Sequence, residues 1–157
     1  MFIRLAGAFL LAFSGALCAY VINIRESSAL AQTEGFIAFI RFVKGKIERF
    51  SMPLPQILAE CSSDVYSACG YGGDIPLCVS ELLKGCRVCA GAAHKIFSQF
   101  SSEVGKGYRD EQIRVCDYYL SLLDDRRRTL SAALPNRKKR NSTLLLSGAL
   151  AVAILLV

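Results

Sequence analysis

The stretch that decides the fold is IRVCDYYLSLLDDRRRTLSAAL, residues 113–134. Apolar residues recur in it at intervals of three and four, which is the period of one face of an α-helix. This face consists of Ile113, Cys116, Leu120, Leu123, Arg127, Leu130 and Leu134. Arg127 fits the face because its aliphatic stem covers an apolar neighbour while its guanidinium stays in water. The stretch therefore predicts a long amphipathic helix.

A matching apolar stripe lies in the first third of the chain, at Phe36, Ile40, Val43, Ile47 and Phe50. Two long helices with such stripes most simply bury them against each other as an antiparallel pair. A long coiled-coil homodimer is the alternative use of the same two stripes. Either arrangement makes these two helices the framework of the protein.

The residues between the two long helices predict shorter helices joined by breaks. Pro53 and Pro55 end the first long helix, because proline lacks the backbone donor, and a short helix at 56–60 follows. Three glycines make 62–74 a predicted loop. The helix after it is expected to start between Asp74 and Pro76. Its buried face should consist of Leu77, Leu82, Leu83 and Cys86.

Glycine and proline also mark the limits of the last helix. Gly105 and Gly107 precede it, and Pro135 is expected to kink or stop it. No alternating run of β-branched residues occurs anywhere in the chain, so nothing predicts a β-strand. The sequence predicts an all-α protein built on a small antiparallel helical bundle.

Both ends of the chain are apolar. The stretch from Leu5 to Ile24 is free of charge and would span about 30 Å as a helix, the thickness of a hydrocarbon core. The uncharged stretch from Thr143 to Val157 would reach about 22 Å, with Arg140 extending to the interface. We therefore expect a transmembrane helix within 1–24, a helical bundle over 25–142 and a second transmembrane helix at 143–157.

Two other interpretations of the N-terminus are open. A cleaved signal peptide would place its small-residue site near Ala16–Ala19, and a lipoprotein signal would use Cys18. The distribution of charge favours two spans with the bundle in the cytosol, because positive charge beside a span stays cytoplasmic. Basic residues are concentrated between the apolar ends, and Arg137-Lys138-Lys139-Arg140 lies directly before the second one.

The net charge of +6 indicates a membrane surface more than any other partner. Seven basic residues and no acidic residue lie from Arg126 onward, close to the second predicted span. Attraction to anionic lipid explains this placement, and docking of an acidic partner is the alternative. Nucleic acid is not expected, because the excess is not spread over a separate basic face.

Seven cysteines are many for a chain of this length, yet the number is odd and Cys18 lies in an apolar end. In the cytosol they should stay reduced and behave as small apolar side chains. A secreted domain with disulfide bonds is the alternative. The pair Cys86 and Cys89 has the spacing of zinc ligands, and Cys69, Cys78 or His94 could complete the site. A membrane-tethered zinc or thiol-binding helical protein that uses this pair is the alternative function. No second closely spaced pair is present, so no metal or cofactor is expected.

Catalytic patterns are absent from the sequence. His94 is the only histidine, and no motif places a serine or cysteine nucleophile beside it. The acid pair Asp110 and Glu111 and the pair Asp124 and Asp125 are adjacent on helices, where neighbours diverge by about 100° and face water. The sequence therefore predicts a protein that is not an enzyme.

Several segments of the chain resemble the stage III sporulation protein AB family, which are membrane proteins of endospore-forming bacteria. The similar segments are Arg4–Ala8, Ile47 with Pro53-Leu54, Phe100–Gln112 including Gly105, Leu123-Asp124 and Ser142–Gly148. The chain departs from the family pattern at Lys46, Arg49 and Tyr108, where the family prefers Glu, Tyr and Asp. It also lacks the central tryptophan of the family.

This resemblance implies a membrane platform protein of the sporulation channel. It implies a helical domain similar to the cytoplasmic domain of type II secretion platform proteins, placed in the mother-cell membrane around the forespore. The partners implied are a cytosolic secretion-type ATPase, stage III sporulation protein AA, and other membrane proteins of the channel. Charge and expected exposure favour Lys46, Arg49, Arg109 and Arg114 as the ATPase-docking residues.

Overall fold

The structure is a computed structural model that describes the chain over residues 2–156. Side chains are described throughout 20–136 and also at Gly7, Phe13, Ser14, Leu17, Cys18, Lys139, Thr143, Ser147 and Gly148. Over 2–156 the chain forms six α-helices and no β-strand, so the all-α prediction is confirmed. The helices are α1 (Phe2–Phe50), α2 (Leu54–Ala59), α3 (Ser63–Ala68), α4 (Val79–Gly85), α5 (Gly91–Glu103) and α6 (Arg109–Leu156).

The chain divides into two compact units. Unit 1 contains the two chain ends, up to Ser27 and from Ser131, and unit 2 is the segment Ser28–Leu130. Among the residues with a described placement, none of the helices combines the length and the apolar character that a membrane crossing requires. Many residues of the predicted spans 1–24 and 143–157 have side chains outside the described part. The two spans therefore stay predictions.

In unit 2, α1 and α6 lie side by side in opposite directions. Arg41 pairs with Asp124 at 3.6 Å, and Lys44 pairs with Asp117 at 2.7 Å. As the position on α1 increases from 41 to 44, the position of its partner on α6 decreases from 124 to 117. The two helices are therefore antiparallel, as the two stripes predict. The chain consequently enters unit 2 at Ser28 and leaves it at Leu130 at the same end. We call this the proximal end and the opposite one the distal end.

The core of unit 2 lies between α1, α5 and α6. The rings of Phe36 and Phe97 stack with their centroids 4.3 Å apart, and Phe100 packs against both Phe97 and Tyr119. Aromatic contacts of this kind add to the burial of apolar area that stabilises a small domain. Four of the five residues in the first predicted stripe are buried, namely Phe36, Ile40, Val43 and Ile47.

The fifth residue of that stripe, Phe50, was expected in the core but is 62% exposed, so this prediction is wrong. The reason is that α1 ends at Phe50, and the next residue, Ser51, turns the chain with a positive φ of 50°. The ring of Phe50 instead lies 5.6 Å from the ammonium of Lys46. Phe50 therefore belongs to the surface of the distal end.

Two predictions for the short helices are also wrong. The expected loop 62–74 contains α3, because Tyr66 is buried and donates a hydrogen bond to the carbonyl of Leu58 at 2.6 Å. This tertiary contact outweighs the glycines, which begin only after the helix has ended. Leu77 is 81% exposed and not buried, since α4 starts only at Val79 and buries Val79 and Leu82.

Helix α6 does not stop at Pro135 but continues to Leu156. A proline removes one hydrogen bond of the helix and disturbs the preceding turn, yet it does not end a helix whose other bonds persist. The residues just before Pro135 are good helix formers, Ala132, Ala133 and Leu134. Of the two expectations for Pro135, the stop is therefore wrong, and the kink stays a prediction.

Candidate functional site

Two segments that are distant in the sequence meet at the distal end of unit 2. Arg109 donates from Nε to the carbonyl of Ile47 at 3.4 Å and from Nη2 to the carbonyl of Glu48. These carbonyls belong to the last turn of α1, whose acceptors lack partners inside the helix and carry partial negative charge. Arg109 therefore caps α1 from the first residue of α6.

A close approach of Leu54 and Gly105 completes this contact. A Cβ at Gly105 would lie 3.2 Å from the Cδ2 atom of Leu54, and Gly105 has a positive φ of 84°. Glycine suits this position because it adopts the left-handed conformation without strain and leaves room for the leucine. We use the name distal junction for Ile47, Pro53, Leu54, Gly105 and Arg109.

Two of the segments that carry the family resemblance, at 47–54 and 100–112, lie in or beside the distal junction. Ile47 is buried, Pro53 directly precedes α2, and Leu54 is its first residue. Gln112 donates from Nε2 to the carbonyl of Gly107 at 3.1 Å, which holds the turn before α6. The structure thus brings together Ile47, Pro53, Leu54, Gly105 and Gln112, which the sequence distributes over two separate segments.

Aromatic side chains are exposed around the distal junction. Phe50 is the last residue of α1, and Tyr108, which is 88% exposed, directly precedes Arg109. Large apolar side chains at this level of exposure are candidates for contact with another protein when they occur together.

The four basic residues predicted to bind a partner differ in their surroundings. Arg49 and Arg114 are exposed, and in the described part of the chain neither has an ion-pair partner. Lys46 is instead paired with Glu60 and lies 5.5 Å from the ring of Phe42. Arg109 is occupied by the α1 carbonyls. Only Arg49 and Arg114 are therefore free to meet a partner without breaking a contact inside unit 2.

The cysteines and the histidine that the alternative zinc site would use do not form a ligand group among the described residues. Cys86 is buried, whereas Cys78 and Cys89 are exposed. Within the residues that the structure describes, no group of three or more histidine, cysteine or acidic side chains is placed to hold a metal ion. The ring nitrogen Nε2 of His94 is buried without a hydrogen-bond partner. These positions do not form the tetrahedral site that zinc requires.

The buried thiols are poorly suited to reactions. Burial raises the pKa of Cys86 to about 11 and that of Cys116 to about 11. Burial also raises the pKa of Cys69, and the neighbouring Cys86 adds to this effect. A thiol reacts as its thiolate, so these groups stay protonated and unreactive near neutral pH. All seven cysteines are free in the structure.

One buried polar residue, Gln32 of α1, organises the proximal end and was missed in the sequence. Its Nε2 donates to the carbonyls of Cys69 at 2.9 Å and Arg87 at 2.6 Å. Its Oε1 accepts from the backbone N–H groups of Cys89 and Ala90, both at 2.9 Å. Both the Nε2 donor and the Oε1 acceptor of the amide therefore make two hydrogen bonds each. These bonds connect α1 to the loop after α3 and to the loop before α5. We call Gln32 with these four backbone partners the glutamine clamp.

Two glycines allow the glutamine clamp to form. A Cβ at Gly35 would lie 2.3 Å from the carbonyl oxygen of Ala68, so α1 and the end of α3 approach more closely than any other residue permits. A Cβ at Gly70, where φ is 84°, would lie 2.9 Å from Nε2 of Gln32. In the sequence Gln32 stands between Ala31 and Thr33, with Gly35 three positions later, and nothing in this pattern distinguishes it from an exposed glutamine of a helix.

An open depression lies beside the glutamine clamp. It has a volume of about 650 Å³ and is lined by Ser67, Gly70, Tyr71, Gly72, Gly73, Gly85 and Arg87. Arg87 is the only charged residue of its lining. The ring of Tyr71 is held between Gly73 and Gly85, where a Cβ would come within 2.9 Å of ring atoms.

The chain was compared with protein families, curated proteins and solved structures, and none of the three comparisons gave a match.

Proposed function

We propose that the protein is a non-enzymatic inner-membrane platform protein of a sporulation secretion-like channel, and that unit 2 docks a cytosolic ATPase, stage III sporulation protein AA. In this proposal the apolar ends at 1–24 and 143–157 lie in the mother-cell membrane around the forespore. Other membrane proteins of the channel would assemble beside them. The resemblance to the family supplies the partner, and the following observations support the assignment.

The distribution of charge supports attachment to the membrane. Residues 28–130 contain thirteen basic and twelve acidic side chains, so unit 2 is nearly neutral. The rest of the excess positive charge comes from Arg4, Arg25 and the four basic residues at 137–140, against the single acid Glu26. These residues all border the apolar ends. Basic residues in such positions attract anionic lipid and orient neighbouring spans.

The distal junction carries the docking proposal. Two sequence segments that resemble the family, 47–54 and 100–112, converge there through Arg109 and through Leu54 with Gly105. Phe50, Tyr108 and Arg49 are exposed around this convergence. Aromatic and arginine side chains dominate the binding energy of protein interfaces.

The proposed mechanism is mechanical transmission. A force applied at the distal junction acts directly on α1, because Arg109 donates a hydrogen bond to the last turn of that helix. The buried core and the glutamine clamp then make α1 and the short helices respond together. No bond is made or broken in the partner by this protein.

Co-purification with the ATPase tests the docking proposal. The full chain, solubilised or in vesicles, should retain the ATPase, and the double variant Phe50→Ala with Tyr108→Ala should lower the affinity at least about tenfold, as loss of two interface anchors does. Reversal of charge by Arg49→Glu with Arg114→Glu should weaken binding further and change its dependence on salt.

Tyr118→Ala is the matched control, because Tyr118 is 59% exposed and lies on α6 away from the junction. This variant should bind the ATPase like the parent protein. Equal affinity of the control and the double variant would remove the distal junction as the docking surface. Reporter fusions that place residues 60–100 outside the cell would contradict the membrane orientation.

A further inference from the structure

The open depression beside the glutamine clamp has a fixed backbone. The N–H of Arg87 donates to the carbonyl of Gly70 at 3.0 Å, and the carbonyl of Arg87 accepts from Gln32 at 2.6 Å. Tyr71 and Cys86 form a single antiparallel bridge between the same two segments. Two sides of the depression are therefore tied to each other and to α1, so its shape exists before a ligand binds.

The ring of Tyr71 is also held in place. Its backbone N–H donates to the carbonyl of Tyr66 at 3.0 Å, and the two rings meet edge to face with centroids 5.9 Å apart. The volume of about 650 Å³ lies within the usual range of small-molecule pockets, which is about 300–1,000 Å³. A preformed pocket of this size loses little free energy to ordering when it binds a ligand.

The lining of the depression offers one cation and two hydroxyl groups. Arg87 is its only charged residue, is exposed, and has no ion-pair partner among the described residues. The hydroxyls of Ser67 and Tyr71 belong to the same lining and have no hydrogen-bond partner in the described part of the chain. An arginine guanidinium binds oxyanions, carboxylates among them, through paired hydrogen bonds.

Nearby acidic side chains limit the charge that a ligand can carry. Desolvation raises the pKa of Tyr71, and the negative charges of Glu81 and Asp74 add to this effect, so both carboxylates lie near the tyrosine. The raised pKa keeps the hydroxyl protonated at neutral pH, and it can donate to an anion. One guanidinium balances a single negative charge, whereas the two acids oppose a second one.

A second depression adjoins the first and can receive the uncharged part of a ligand. It has a volume of about 390 Å³ and shares Tyr71 and three neighbouring residues with the first. Ile75 lines it and is 60% exposed. An apolar group that covers Ile75 would remove apolar surface from water, which favours binding.

We infer that the depression beside Arg87 binds an organic monocarboxylate, with the carboxylate on the Arg87 guanidinium and the apolar part over Tyr71 and Ile75. Small organic acids and the free C-terminus of a polypeptide both carry this group. The site lies entirely within unit 2, so it depends neither on the predicted spans nor on the docking of an ATPase.

Titration of the full chain in a nonionic detergent tests the inference. The probes are N-acetylphenylalanine, its uncharged amide and phenyl phosphate, and the backbone amide resonances of Gly72 and Gly73 report binding by NMR. N-acetylphenylalanine should give saturable shifts. The amide should bind at least about tenfold more weakly, because it lacks the charge that Arg87 pairs with. Phenyl phosphate, a dianion at pH 8, should also bind more weakly than the acid.

Three variants connect binding to the depression. Arg87→Gln should weaken the affinity for N-acetylphenylalanine about tenfold and keep the backbone bonds of residue 87. Gly72→Leu should weaken it as well, because a Cβ at Gly72 meets no atom within 4 Å and the added side chain occupies space at the depression. Arg49→Gln is the matched control, since Arg49 is an exposed and unpaired arginine of the distal end, and should bind like the parent protein. An unchanged side-chain amide resonance of Gln32 verifies the fold of each variant.

A pentapeptide of uncharged residues with a free C-terminus distinguishes the two sources of the carboxylate. Tighter binding of the peptide than of N-acetylphenylalanine would identify the end of a protein chain, and equal or weaker binding would identify a small acid. Either result supports the site. It would be overturned by the absence of saturable shifts with both acids, by equal affinity for the acid and its amide, by tighter binding of phenyl phosphate, or by unchanged affinity in Arg87→Gln. None of these results affects the proposed docking of the ATPase, which involves the opposite end of unit 2.

Discussion

The two ends of unit 2 are closed by different chemistry. At the proximal end, the buried neutral amide of Gln32 makes four hydrogen bonds to two loops. At the distal end, the guanidinium of Arg109, with a half-exposed side chain, caps the last turn of α1. A buried amide has no water to replace its partners, whereas an exposed cation is solvated when its contacts open. The proximal end should therefore be rigid and the distal end adaptable.

This difference fits the proposed division of work. An end that meets a moving partner benefits from contacts that open at small cost. In the proposed mechanism the proximal end must stay rigid, because flexible contacts there would not transmit motion that the partner imposes on the distal end. Substitutions at the two ends distinguish a rigid proximal end from an adaptable distal end.

Gln32→Leu should have the largest effect. Leucine fills a similar volume but leaves the carbonyls of Cys69 and Arg87 and the N–H groups of Cys89 and Ala90 without their partner. Polar groups left without a partner destabilise the folded state, so we expect a loss of about 3 kcal/mol in the free energy of unfolding. Denaturant unfolding of the full chain in detergent measures it. Gln99→Leu, at an exposed position of α5, is the control and should change stability by less than about 0.5 kcal/mol.

Gly35→Ala should be the next most disruptive change. The added Cβ would lie 2.3 Å from the carbonyl oxygen of Ala68, which is backbone and has little freedom to move. Overpacking of this kind costs about 2 kcal/mol and should also increase hydrogen exchange in the loop 69–70. Gly45→Ala is the matched control on the same helix, because nothing lies within 4 Å of its Cβ. It should stabilise the protein by about 0.5 kcal/mol. Equal effects of the two changes would refute the close approach of α1 and α3.

The pairing of the two long helices could be predicted from the sequence, whereas the contacts at the two ends could not. The pairing of α1 with α6 follows from stripes whose three-four spacing extends over several turns, and such long periodic signals are reliable. The residues Ile47, Pro53, Leu54, Gly105 and Gln112 were available from the family resemblance. Their meeting at one place was not, because it depends on how two distant segments pack.

Gln32 could not be recognised from its position in the sequence. A glutamine within a helix usually faces water, and its partners lie 37 to 58 residues away along the chain. The helix α3 was missed for a similar reason, since Tyr66 is held by a contact with Leu58 and not by local preference. Phe50 fits the apolar stripe by its spacing, but it is the last residue of α1, and the turn at Ser51 leaves its ring 62% exposed.

Arg109→Met should test the distal end with a smaller effect. Methionine replaces the apolar stem of arginine but lacks the guanidinium, so the hydrogen bonds to the carbonyls of Ile47 and Glu48 are lost. Because the side chain of Arg109 is half exposed, we expect a loss of about 1 kcal/mol. Thermal unfolding of the full chain measures this change, with Arg114→Met as the control at an unpaired exposed position. A loss as large as that of Gln32→Leu would mean that the distal end is as rigid as the proximal end.

The smallest effect is expected between the two ends, at Lys44. Its ammonium lies 2.7 Å from Asp117 and 3.3 Å from Glu48, and the hydrogen bond to Asp117 raises its pKa above 10.5. A pKa that is raised on folding means that the folded state holds the proton more tightly. The stabilisation is therefore complete below pH 10.5 and disappears as the pH rises through the higher folded value. Surface pairs of this kind contribute no more than about 0.5 kcal/mol, so Lys44→Met should lower stability slightly at pH 7 and at low salt, and not at all at high salt. Unfolding curves of both proteins at pH 7 and pH 11 provide the measurement. If Lys44→Met instead lowered stability as much as Gln32→Leu, the stability of unit 2 would depend on the ion pairs between α1 and α6 and not on the hydrogen bonds of its proximal end.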